Sequence, residues 1–166
     1  GRQAVALGAD VPMCLHGGPL VASGIGETLV SLANLPALAM VLVNPRRHVS
    51  TPVVFSKLVA KNNQPLPVNE IAHLRDASDW AAWLKAATRN DLQAPSVSLA
   101  PEIEASLMAL EETDALLTRM SGSGATCFGL YEDAAQAQAA ATLLLRRHPD
   151  WWIKSCMTAA SAGAPA

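Results

Sequence analysis

Ala115-Leu-Leu-Thr-Arg-Met120, then Ser121-Gly-Ser-Gly124, then Ala125-Thr-Cys-Phe-Gly-Leu-Tyr131 is the stretch on which the fold turns. Two short apolar segments flank four small residues, two of them glycine. That pattern predicts two strands joined by a tight loop. Asp133 follows, with Gln136 three positions on, a capping-box arrangement that starts a long helix. Arg146, Arg147 and His148 fall in the last turn of that helix, where cations suit its dipole, and Pro149 ends it. Trp151–Thr158 then predicts a final strand.

Working outward, Leu38-Ala-Met-Val-Leu-Val43 is a short apolar run closed by Asn44-Pro45, the signature of a buried strand that proline terminates. Ser78 suits an N-cap, and Trp80, Trp83, Leu84 and Ala87 recur at i, i+3, i+4 and i+7, which predicts a helix with one apolar face. Pro101 suits a first helical position, and Ile103, Leu107 and Leu110 give that helix its apolar stripe. Strand, helices, strand, strand, helix, strand is the order of an α+β ferredoxin-like plait, an antiparallel sheet covered by helices on one face. No internal repeat or linker interrupts it. The segment from Lys61 to Pro67 reads as a polar loop.

Composition narrows the function classes. Of 166 residues, 51% are hydrophobic and only 16% charged, with a formal net charge of -2. Such a chain is too apolar to be disordered, and its charge balance excludes a basic nucleic-acid binder. The longest apolar stretch, Leu35–Val43, is about half a membrane span and contains Pro36. Cys14, Cys127 and Cys156 are odd in number and widely spaced, which fits buried thiols in a reducing, cytoplasmic setting rather than disulfides or a zinc site. No charged segment followed by an apolar one opens the chain, so no secretory signal is read. Gly1 leads into Ala4-Val5-Ala6-Leu7 with no capping residue before it, and Gly8 supplies a stop. Residues 1–7 read either as the last turns of a helix belonging to a longer chain, the favoured reading, or as the start of a mature protein whose Met and leader were removed.

Three local patterns could carry chemistry, and each has an ordinary alternative. Gly24-Ile25-Gly26-Glu27-Thr28-Leu29 fails the dinucleotide fingerprint, because Leu29 stands where a glycine or alanine is needed. Ser121–Gly124 offers backbone amides and hydroxyls that could bend around an anion or a sugar oxygen, or could merely turn a hairpin. Asp10, in Leu7-Gly-Ala-Asp-Val-Pro12, stands on a stiff turn where a carboxylate could accept a hydroxyl proton, or could be a turn residue. His16, His48, His73 and His148 show no metal-ligand spacing.

In their order, Leu7-Gly-Ala-Asp-Val-Pro12, Gly24-Ile25-Gly26-Glu27, Val49-Ser-Thr-Pro-Val-Val-Phe55, Asn90-Asp-Leu92 and Met120-Ser-Gly-Ser-Gly-Ala-Thr-Cys127 resemble the GHMP family of small-molecule kinases over essentially the whole chain. The resemblance is to those members whose acceptor is a cytidine-diphosphate-linked methylerythritol. It implies transfer of the ATP γ-phosphoryl, with Mg2+ carried by ATP, to the acceptor's 2-hydroxyl in non-mevalonate isoprenoid synthesis. It implies Asp10 as the catalytic carboxylate. Thr51 and Phe55 would lie at the cytidine pocket, with Phe55 stacking on the base and Gly24 and Ile25 nearby. The loop Gly122-Ser123-Gly124-Ala125 would border substrate and phosphate.

The family's ATP phosphate loop and catalytic lysine precede the Asp10 motif, so the resemblance also implies a missing N-terminal domain. Residues 1–22 would be the end of that truncated domain and 23–166 the C-terminal α+β domain. The fragment by itself is expected to be inactive and to hold no metal. ATP and the small-molecule substrate are the expected ligands, with neither nucleic acid nor membrane as partner. A stand-alone plait binding a small regulatory ligand is the alternative.

Overall fold

The structure, a computed structural model, describes residues 15, 17–24, 26, 28–33, 35–60, 63–67, 71 and 73–161. Its contacts divide the chain into two compact units, Leu38–Thr158 and the flanking Gly1–Ala37 with Ala159–Ala166. In the smaller unit, β1 (Leu20–Ser23) and β2 (Thr28–Ser31) pair antiparallel, with Leu20 opposite Ser31 and Ser23 opposite Thr28. The Ser161 hydroxyl donates to the Leu32 carbonyl at 2.6 Å and accepts from the Leu35 amide at 3.0 Å, which ties Ser161 to the segment after β2.

The larger unit is the expected plait. Its strands are β3 (Ala39–Asn44), β4 (Leu117–Met120), β5 (Cys127–Tyr131) and β6 (Trp152–Met157). They form one sheet in the order β4-β5-β3-β6 with every neighbour antiparallel. The order leaves β4 parallel to β3 across β5, and β6 parallel to β5 across β3, as two interleaved strand-helix-strand crossovers require. Alternation along β3 decides which face is covered. Ala39, Val41 and Val43 are buried, and they stand opposite Tyr131, Gly129 and Cys127 on β5.

Two helices cover that face. In α4 (Glu102–Glu111), Ile103, Leu107 and Leu110 recur at helical spacing, as do Ala137, Ala140, Ala141 and Leu144 in α5 (Ala134–Arg147). All seven join the β3 and β5 residues in a single apolar cluster. The lack of a Cβ at Gly129 lets α4 come close: a Cβ there would lie 3.2 Å from Leu110 Cδ2 and from Ala115 Cβ.

Three shorter helices are α1 (Thr51–Ser56), α2 (Ala77–Ala87) and α3 (Gln93–Leu99). Arg119 alternates with the core residue Met120, and so points to the opposite face of the sheet. There it donates to the Leu84 and Thr88 carbonyls at 3.0 and 3.3 Å and to the Thr88 hydroxyl, tying the end of α2 to β4. Cations favour this negative end of a helix. The second face is therefore also covered at its β4 end. The α2 cap is Asp76, whose carboxylate accepts from the Asp79 amide at 2.9 Å; Ser78, the expected cap, donates instead to Glu132. Asp133 caps α5 as expected, accepting from the Gln136 amide at 2.8 Å. Among the described residues no helix is long and apolar enough to cross a membrane.

Burial under α4 and α5 pushes the Cys127 thiol up from 9.0 to about 12. Burial likewise raises the Tyr131 phenol, against a lowering hydrogen bond from Thr113. The unfolded chain releases the Cys127 proton near pH 9, while the folded chain keeps it. Stability is therefore complete below about pH 9 and falls as pH rises toward 12. Urea midpoints measured across that window should decline, and more gently in Cys127→Ala than in the unsubstituted protein. Equal slopes in both would show that this thiol contributes nothing to alkaline destabilisation.

Candidate functional site

The Ser121–Gly124 loop closes the β4–β5 hairpin. The Ser121 amide donates to the Thr126 carbonyl at 2.8 Å, and the Gly124 amide to the Ser121 carbonyl at 3.0 Å. Gly122 and Gly124 have φ of +55° and +88°, backbone that L side chains rarely adopt, which explains two glycines in four residues. They differ in their surroundings. A Cβ on Gly122 would meet nothing within 4 Å, whereas one on Gly124 would stand 2.7 Å from Met120 Sδ. The loop is open on one side and packed on the other.

Helix α1 meets this loop. Thr51 lies in its first turn, and its hydroxyl pairs with the Ser123 hydroxyl at 2.7 Å, joining residues 72 apart in the chain. Pro52 suits the early position, where its missing N–H costs nothing. Four residues after Thr51, Phe55 is 51% exposed and looks onto an open cleft of about 490 Å3. Leu58, Phe128, Arg119 and the Ser121–Gly122 edge of the loop form other parts of its wall. The aromatic rings supply apolar faces and Arg119 a positive charge. Burial lowers the pKa of that guanidinium, and its hydrogen bonds to the α2 carbonyls hold it in place.

The structure thus brings Phe55 and Gly122 to one cleft, with Thr51 bonded to Ser123 of the same loop and Gly124 and Ala125 on the loop's packed side. Gly24 lies in the other compact unit, in the turn between β1 and β2. Asp10 and Ile25 lie outside the described residues. Among the described residues, no group of three or more His, Cys, Asp or Glu side chains could hold a metal ion.

Several residues that build the site gave no periodic signal. Ser96, fully buried on α3, donates its hydroxyl to the Ser123 carbonyl at 2.9 Å. The Asn90 side-chain amide donates to the Met120 and Gly122 carbonyls, both at 2.8 Å, and its oxygen accepts from the Leu92 amide at 3.0 Å. Gln93 Oε1 accepts from the Met120 amide at 3.0 Å. Asp91 faces Arg89 at 2.9 Å and accepts from Asn63 at 2.8 Å. Of these, only Asn90 and Asp91 fell within a quoted motif.

Residues 70–148 match the family described as GHMP kinases C terminal. A 4-diphosphocytidyl-2-C-methyl-D-erythritol kinase of Sinorhizobium medicae is 51% identical over 163 residues, covering 98% of this chain and 53% of that protein. The protein of the same name from Dinoroseobacter shibae is 53% identical over 149 residues, covering 89% of this chain and 51% of its own length. The chain spans about half the length of these relatives. A crystal structure of 4-(cytidine 5'-diphospho)-2C-methyl-D-erythritol kinase superposes with a TM-score of 0.73 at 31% identity, over 93% of this chain and 55% of that one. Homoserine kinase from Cytophaga hutchinsonii shares the fold, with a TM-score of 0.67 at 18% identity over 90% of this chain and 50% of its own.

Proposed function

We propose, from the match of residues 70–148 to the GHMP kinases C terminal family, that this chain is the C-terminal part of a cytoplasmic, ATP-dependent GHMP kinase acting on the 2-hydroxyl of 4-diphosphocytidyl-2-C-methyl-D-erythritol. The observation that carries this reading is 51% identity, over 98% of the chain, to a relative bearing that kinase's name. On this reading residues 1–22 close an upstream kinase domain, and the remainder is the C-terminal domain.

The residues take complementary roles. Asp10 is assigned the proton of the attacking hydroxyl, and Phe55, with Thr51, the cytosine ring; the motif resemblance also assigns Gly24 and Ile25 to cytidine binding. ATP, with Mg2+, supplies the phosphoryl group when bound. The open side of Gly122 fits such a neighbour, because no protein atom fills the space a Cβ would take. Gly122 and Ser123 would border it, while Gly124 and Ala125 anchor the loop from behind. Phosphoryl transfer depends on positioning and on charge stabilisation, so a loop held by side chains from two helices suits the task.

The direct test is ATP-dependent phosphorylation of that diphosphocytidyl substrate by the full-length protein. Product bearing phosphate on the 2-hydroxyl is expected; a folded protein that leaves this substrate unmodified overturns the reading. Phe55→Ala refines it. A half-exposed phenylalanine contributes less to stability than a core one, so its melting temperature should change little. Loss of stacking should weaken cytidine-substrate binding by about 1–3 kcal/mol, leaving ATP binding within about threefold. Unchanged substrate affinity in calorimetry would remove Phe55 from the pocket.

A further inference from the structure

The turn and first residue of α3 hold the backbone that leads into the glycine loop, and they do so with opposite polarity. Met120 is the last residue of β4, which has β5 on one side only. Its carbonyl accepts from Asn90 and its amide donates to Gln93, so two side chains stand where a neighbouring strand would be. The second hydrogen of the same Asn90 amide reaches the Gly122 carbonyl, inside the loop.

The chemistry of the backbone fixes which side-chain atom faces it. Two carbonyls can only accept, so Asn90 must present nitrogen; a backbone amide can only donate, so Gln93 must present oxygen. The Leu92 amide, bound to Asn90 Oδ1, locks that orientation. Ser96 then holds the next carbonyl, that of Ser123. Three consecutive supports, at residues 90, 93 and 96, define where the open side of Gly122 faces.

We propose that Asn90 is a positioning residue for phosphoryl transfer, acting through the Ser121–Gly124 loop and seconded by Gln93; the assignment rests on the kinase reading above. Asn90 need not touch a reacting atom. Its donated pair of hydrogen bonds sets the height and tilt of the loop against the bound ligands, and a displacement of about 1 Å in such a part can cost about 10²-fold in rate.

Opposite polarity makes the test specific. In the full-length protein, Asn90→Asp turns two donated bonds into contacts between acceptors, whereas Gln93→Glu keeps the acceptor that Met120 needs. Asn90→Asp is expected to lower kcat by about 10²-fold, with KM for ATP within about threefold. It should also speed hydrogen exchange of the residue 121–124 amides by about tenfold, leaving the β3 amides unchanged. Gln93→Glu should keep most activity and slow exchange, and Gln93→Leu should move both readouts in the direction of Asn90→Asp.

Wild-type kcat in a folded Asn90→Asp protein overturns the proposal, as does faster exchange with kcat intact. If Asn90→Asp does not fold, the Gln93 pair decides: equal losses in Glu and Leu overturn the proposal, and loss in Leu alone supports it. If the unsubstituted protein has no kinase activity, the kinase reading fails by itself, and the exchange contrast then supports or overturns the hold of Asn90 on the Ser121–Gly124 loop.

Discussion

Asp10→Asn in the full-length protein is expected to lower kcat by about 10²–10⁴-fold while KM for the diphosphocytidyl substrate stays within about threefold. The reasoning is chemical. Asparagine keeps the volume and one carbonyl oxygen of aspartate, so ground-state contacts to a hydroxyl survive. It cannot take up a proton, so stabilisation that appears only as the hydroxyl attacks is lost. A loss confined to kcat is the mark of such an interaction. The assignment rests on Leu7-Gly-Ala-Asp-Val-Pro12 within the ordered motifs. Steady-state kinetics of the two proteins, with melting curves to equalise the folded fraction, decide it. Retention of more than about half the kcat would reduce Asp10 to a turn residue, because general-base catalysis contributes at least about 10²-fold.

The plait was legible because its signals are periodic or paired. The unbroken apolar run Leu38–Val43, closed by Asn44-Pro45, reads as a buried strand, and the structure forms one at Ala39–Asn44 with Val41 and Val43 completely buried. Asp133 and Gln136 announced the start of α5, and Pro149 its end. The α2 cap shows the limit of such signals. Asp76 and Ser78 are both good caps two residues apart, and only the packing of the segment chooses between them. Helix α1 was not legible as a helix. Thr51, Val53 and Val54 are β-branched and poor helix formers, and six residues are too few to show a period. Tertiary contact, including the bond from Thr51 to Ser123, settles its conformation.

The site divides in the same way. The glycine loop stands out from its own residues and Thr51 and Phe55 only through resemblance; the cleft holds Phe55 and Gly122, and the Thr51–Ser123 bond ties Thr51 to the loop. Asn90 belongs to the Asn90-Asp-Leu92 motif, which by itself points to no role, and Gln93 and Ser96 belong to no motif. Their partners lie 27 to 32 residues away, on the loop and the strand before it. Single polar residues making long-range bonds to backbone leave no pattern along the chain, so only the folded arrangement exposes them.

The two loop glycines should respond to alanine in opposite ways. At Gly124 the added methyl meets both a positive φ of +88° and Met120 Sδ at 2.7 Å, with Ile103 Cδ1 at 3.3 Å behind it. Met120 and Ile103 are almost fully enclosed in the main apolar cluster, so neither can swing into solvent to make room. Backbone strain of about 1 kcal/mol and overpacking of about 1–3 kcal/mol together give an expected loss of roughly 2–4 kcal/mol for Gly124→Ala. Gly122→Ala meets only its φ of +55°, with open space beyond, and should lose about 1 kcal/mol. Activity should run the other way. Gly124→Ala should lose kcat/KM largely in step with its folded fraction. Gly122→Ala, well folded, should lose more than folding explains, because its methyl occupies the space assigned to substrate or phosphate. Ser123→Ala, which removes the hydroxyl that pairs with Thr51 but adds no bulk, separates occlusion from loop anchoring. Melting curves and kinetics on the three variants supply the comparison. If kcat/KM of Gly122→Ala simply follows its folded fraction, the open side of the loop faces solvent rather than ligand, and the loop is only the turn of a hairpin.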